Sequence, residues 1–175
     1  MKAARRADLA QLLGDEAIGV EARAAHDDHL ALKVWLRLLA SSTQIEDEIR
    51  RRLRARFGIT LARFDYLAQL HRHPDGIRMN ALSRFLMVTG GNVTGLTDEL
   101  EKEGYVTREA DPGDRRSFIV RLTREGRRAF ERIAAEHEQW VIELLGSVGD
   151  PALERLYDIL GELRVALARQ ASTTA

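Results

Sequence analysis

The chain has no cysteine among its 175 residues, which removes disulfides, thiolate metal sites and thiol-based redox sensing together. Neither sign of charge is in excess: 27 basic side chains face 27 acidic ones, so attraction to a polyanion has to be local. No apolar run approaches the roughly 18 residues that span a bilayer. Met1–Arg23 is charged throughout with no signal-peptide core, so a cytoplasmic location without a membrane partner is expected. Proline is scarce, and Pro74, Pro112 and Pro151 all fall where neighbouring residues mark a turn or a helix start. Nucleophile–base pairings and phosphate loops are missing too, so neither catalysis nor a cofactor is expected. His26 and His29 flank Asp27 and Asp28, and His71 and His73 sit near a turn. Without cysteine or a second cluster this spacing makes no metal site, and no metal is expected.

What the chain does have is helical periodicity, with an apolar share of 45% that is ample for a core. Residues 1–27, rich in Ala, Arg and Glu, read as a short helix or arm. From Asp28 the series Leu32, Trp35, Leu36, Leu39, Ile45, Ile49, Leu53 and Phe57 recurs at spacings of three and four, predicting a long amphipathic helix that Gly58 ends. Thr60 is placed to cap a second helix carrying Leu61, Phe64, Leu67, Ala68 and Leu70, stopped by the turn His73–Gly76. Ala81, Leu82, Phe85 and Leu86 make a short third helix. Thr89 can cap a fourth, running through Val93, Leu96 and Leu100 to Gly104.

Tyr105–Leu122 then reads as two strands around the turn Asp111–Asp114, with Arg115 and Arg116 at its tip. Thr123 caps the next helix, Glu125 suits its positive first turn, and Phe130, Ile133, His137, Val141 and Leu144 share a face. Asp150 and Pro151 open the last helix, whose Leu153, Leu156, Leu160, Leu163 and Leu167 form a seam. That seam packs either on the long first helix or on a second subunit. A terminal helix has little other core to bury it, which favours a homodimer built from the first and last helices.

Charge is concentrated where the hairpin lies: residues 105–132 hold eight arginines against five acids. A short helix leading directly into a basic hairpin suggests a winged DNA reader, mainly α with a small β-wing. Arg50–Arg56, five arginines in seven residues, is either a solvated helix face or a segment serving phosphate groups.

The stretch DPGDRRSFIVRLTREGRRAF, Asp111–Phe130, resembles the wing signature of the MarR family of winged helix-turn-helix transcription regulators, D-x-R followed by V-x-L-T-x-x-G. VTGGNVTGLTDELEKEGYVTR, Val88–Arg108, is similar to that family's recognition helix and the start of its wing. The resemblance runs over about 30–169. It implies residues 28–57 and 123–170 as dimerisation helices, 58–122 as the DNA-binding domain, and a repressor on a palindromic operator in double-stranded DNA. A two-fold dimer with a helix in each major groove expects half-sites about 10 bp apart, centre to centre.

Carried over by position, Thr89, Gly91, Asn92 and Thr94 begin the recognition helix. Asn92 suits an adenine edge and Thr94 a thymine methyl or a phosphate, although a local cap bond is the competing role for Asn92. Arg116 matches the arginine that enters the minor groove, Asp114 the acid that orients it, and Arg115 stands beside them. The chain departs from the family at Met87, where a glycine is common, and at Arg78, where a capping Ser or Thr is common.

The resemblance also implies release of DNA when a small aromatic carboxylate enters a cleft beside the dimer helices. Trp35, Arg37, Phe64, Asp65 and Tyr66 are the candidate ligand-binding residues, with core packing the competing role for Trp35 and Phe64. The G-G-N-V-T-G segment is similar to members that control aromatic-acid breakdown, some answering to an aryl coenzyme A thioester. The rival to DNA reading is a winged-helix protein-interaction module without sequence-specific DNA binding.

Overall fold

The structure, a computed structural model, describes residues 30–86 and 90–173, with the side chains at 90–92, 115, 116 and 173 left out of the description. The N-terminal arm, His26, His29, Met87 and Thr89 lie outside the described residues. Helix α1 (Leu30–Phe57) closes where the Gly58 N–H donates to the Arg54 carbonyl at 3.1 Å. The chain divides into two units, one ending at Glu48 and the other beginning at Ile49. Along the first unit's part of α1, Leu32, Trp35 and Leu39 are exposed.

The second unit holds the rest: α2 (Leu61–Arg72), β1 (Ile77–Arg78), α3 (Met79–Phe85), α4 (Gly90–Lys102), β2 (Val106–Asp111), β3 (Asp114–Leu122), α5 (Arg124–Gly146) and α6 (Asp150–Thr173). The fold is mainly helical with one small antiparallel sheet of order β1-β3-β2, as the residue pattern predicts except for β1. Two residues are too short to show strand alternation, and β1 exists because a turn delivers it to β3, Ile77 opposite Val120 and Arg78 opposite Ile119. The turn depends on Gly76. Its φ is +89°, and a Cβ there would come within 2.6 Å of Ile119 Cγ2.

The expected caps form. The Thr60 hydroxyl accepts from the Arg63 N–H at 3.2 Å, and the Thr123 hydroxyl accepts from the Gly126 N–H at 2.9 Å. Thr123 does more than cap, because its hydroxyl also donates to the Gly104 carbonyl at 2.7 Å and its N–H donates to the Tyr105 carbonyl at 3.0 Å. The end of α4, the start of β2 and the start of α5 are thereby tied at one point. Gly126 completes the tie, since a Cβ there would lie 1.9 Å from the Tyr105 carbonyl oxygen. The L-T-x-x-G part of the wing signature is the sequence of this junction.

The core runs through Tyr66, Leu67, Leu70, Leu82, Val93, Leu100, Val106 and Val120, all essentially solvent-free, where α2, α3, α4 and the sheet meet. A second patch joins α2 to α5: the Phe64 ring lies 5.6 Å from Phe130 and stacks on His137 at 4.6 Å. Trp140 is buried beside Phe57, with ring centroids 6.1 Å apart. It was absent from the predicted face of α5, although it follows His137 by three and so continues the stripe. On α6 the seam residues Leu156, Leu163 and Leu167 are exposed while Leu153 and Leu160 are half-buried, and beside the seam Ile159 is exposed and Tyr157 is 80% accessible. No helix among the described residues is long and apolar enough to cross a membrane.

Candidate nucleic-acid interface

The orientation of α4 is set by what it buries. Val93, Thr97 and Leu100, at helical spacing, face inward. The Thr97 hydroxyl donates to the Val93 carbonyl at 2.7 Å and shares a 2.6 Å hydrogen bond with the Tyr66 hydroxyl on α2. Burial pushes the Tyr66 phenol up to about 12, so it stays protonated. With that face committed, Thr94, Gly95, Asp98 and Glu99 are left exposed. Thr94 is therefore on the outer side, Gly91 and Asn92 lie in the first turn of α4, and Thr89 falls outside the described residues.

The wing is fastened to this helix by Arg108 of β2. One of its Nη atoms donates to Asp98 at 2.8 Å, the other pairs with Glu101 at 3.1 Å, and the guanidinium carbon lies 5.5 Å from the centroid of the Phe118 ring. Phe118, two residues before buried Val120 on the same strand, is exposed and lies against Arg108. Arg121 is likewise engaged, with Glu109 at 2.5 Å and with the Asp75 carbonyl at 2.8 Å. The arginines counted around the hairpin are thus partly neutralised on site, and the count of eight overstates the positive charge offered to DNA.

At the wing tip, Asp111 is 4% exposed, and its Oδ1 accepts from the Gly113 N–H at 2.8 Å while its Oδ2 meets Arg78 Nε at 2.5 Å. The Gly113 N–H bond, then the Arg78 guanidinium, hold this carboxyl below the usual carboxylate range against the opposing effect of burial. Asp111 is thereby paired with Arg78, a residue outside the hairpin. Arg78 in turn occupies the N-cap position of α3 without making a side-chain cap bond. Exposed Asp114 opens β3, and Arg115 and Arg116 follow it in the strand; the expected Asp114–Arg116 pairing falls outside the described side chains.

Of the residues considered for an effector, Phe64 and Tyr66 are committed to the core, Tyr66 through its bond to Thr97. Asp65 between them is exposed and acts electrostatically on His137. Trp35, 56% accessible, and exposed Arg37 belong to the first unit. Residue reasoning missed Arg108, Thr97 and the Arg78–Asp111 pair. The last had a signal, since an arginine at a helix cap position invites the question of what else it binds.

Residues 57–117 match the family model described as MarR family. An uncharacterised HTH-type transcriptional regulator of Bacillus subtilis is 33% identical over 107 residues, 61% of this chain and 65% of that one. The transcriptional activatory protein BadR of Rhodopseudomonas palustris is 33% identical over 60% of this chain and 61% of its own, so the chain spans under two thirds of either relative. Among solved structures, a MarR family regulator from Silicibacter pomeroyi is 34% identical with a TM-score of 0.65, covering 80% of this chain and 94% of that one. Sco3205 of Streptomyces coelicolor, a MarR family regulator solved in complex with DNA, is 26% identical with a TM-score of 0.69, covering 83% and 92%. With the junction at Thr123 and Gly126 and the helix-plus-wing unit in place, this chain belongs to the MarR family of winged helix-turn-helix transcriptional regulators, which bind DNA and are not enzymes.

Proposed function

We propose that this chain works as a homodimeric repressor on a palindromic operator, and that a small aromatic carboxylate or its coenzyme A thioester releases it from DNA. The observation that carries the DNA contact is the fixed rotation of α4. Val93, Thr97 and Leu100 face the core, so Thr94 turns outward on a helix that Arg108 fastens to the wing bearing Arg115 and Arg116. On this reading Thr89, Gly91, Asn92 and Thr94 meet bases and phosphates in the major groove, while Arg116, oriented by Asp114 and flanked by Arg115, enters the minor groove.

Homodimerisation is supported by the apolar side chains exposed along α6, and separately by those exposed on the first unit's part of α1, surfaces that a second copy would cover. Residues 28–57 and 123–170 then serve as dimerisation helices and 58–122 as the DNA-binding domain. For the effector, exposed Trp35 and Arg37 of the first unit supply an aromatic ring and a guanidinium, which suit an aryl carboxylate.

Gel shifts on the region upstream of the chain's own gene test the DNA contact. Asn92→Ala and Arg116→Ala should each weaken binding by about 1–3 kcal/mol while the dimer stays intact. Unchanged binding by both variants would overturn the assignment. In a promoter reporter, loss of the protein should raise transcription; a fall would give this chain the activating role in BadR's name. Aromatic acids and their coenzyme A thioesters should raise the dimer's melting temperature and release operator, and a panel without effect would remove that effector class.

A further inference from the structure

We infer that Arg78 is a positioning residue for DNA recognition, acting through Asp111 to hold the wing tip, and that it is not itself a DNA contact; this rests on Arg116 being an operator contact. Arg78 ends β1 and stands at the N-cap of α3, and its Nε meets the carboxylate at the end of β2 at 2.5 Å. One ion pair therefore joins the start of the helix-turn-helix to the base of the hairpin tip. The tip is short. Asp111 pairs with Asp114 across Pro112 and Gly113, the register shifts between Ala110 and Asp111, and Arg115 and Arg116 follow at once.

Two features make the tip dependent on this pair. Asp111 is 4% exposed, so its charge needs partners, and the backbone N–H groups it draws on, those of Gly113 and Asp114, both belong to its own turn. The backbone bond from Gly113 shapes the turn locally, whereas Arg78 is the group that reaches Asp111 from outside the hairpin. Without Arg78 the carboxylate would be drawn toward solvent and the turn would swing with it, taking the following arginines out of register with the groove.

Arg78 is 56% exposed, so direct contact with a phosphate is the competing role, and a thermodynamic cycle separates the two. The probe is a duplex that the wild-type protein selects from a random-sequence pool. Arg78→Ala and Asp111→Asn should each weaken binding roughly tenfold, and the double variant should be no weaker than either alone. Arg78→Ala should add no loss in an Arg116→Ala background, and Arg78→Lys, which keeps a cation near Asp111, should recover part of the affinity. If Arg78→Ala costs the same factor with Asp111→Asn or Arg116→Ala already present, Arg78 contacts DNA by itself and the inference fails. It fails equally if Asp111→Asn binds as wild type. Should Asp111→Asn not fold, the cycle between Arg78→Ala and Arg116→Ala decides alone. If wild type binds but Arg116→Ala matches it, the operator-contact assignment has failed instead, a distinguishable result.

Discussion

Gly126 admits no side chain. A Cβ there would sit 1.9 Å from the backbone oxygen of Tyr105, and neither partner can move without dislodging the Thr123 junction. Gly126→Ala should therefore cost about 1–3 kcal/mol or more, seen as a lower urea midpoint, and a midpoint equal to wild type would contradict the account. The buried hydroxyl pair gives a graded test. Tyr66→Phe leaves Thr97 still donating to Val93 and should cost about 1 kcal/mol, whereas Thr97→Val strands the Tyr66 hydroxyl and should cost about 1–3 kcal/mol. At this scale the sequence was legible as motif but not as cause. L-T-x-x-G could be read as a signature, while the carbonyl that forbids a side chain at 126 lies in another element. Tyr66 offers the same lesson, because an aromatic on a half-exposed helix looks alike whether it faces a ligand or the recognition helix.

Among the elements, helices were the most readable, since period and caps agree locally: Thr60 and Thr123 both cap as their types predict. β1 was not, because two residues carry no alternation and its pairing is written in Gly76 and β3. The α2–α5 contact yields a pH prediction. Burial holds the His137 imidazolium below the usual histidine value of 6.5, with the Asp65 charge opposing. A histidine whose folded value is depressed contributes stability above 6.5 that is lost as pH falls through the folded value. The melting temperature of wild type should therefore drop between about pH 7 and pH 5 more than that of His137→Leu, which cannot titrate there. Parallel curves would show that His137 does not sense its burial.

For the whole molecule, the leucine seam of α6 was legible as a seam, but what covers it was not. Exposure in one chain becomes burial only when a second chain is present, a property no single-chain pattern contains. If the seam is the dimer contact, Leu163→Glu with Leu167→Glu should give a monomer by sedimentation and lower operator affinity by about two orders of magnitude, because half-site binding loses its linked partner. A variant that stays dimeric would move the interface elsewhere.

The proposed dimer would place two helix-plus-wing units on successive turns of one duplex. Selecting duplexes from a random pool with the purified protein and sequencing the bound fraction tests it directly. An inverted repeat with half-site centres about 10 bp apart should be enriched. Enrichment of an unpaired half-site, or of no sequence above background, would contradict it.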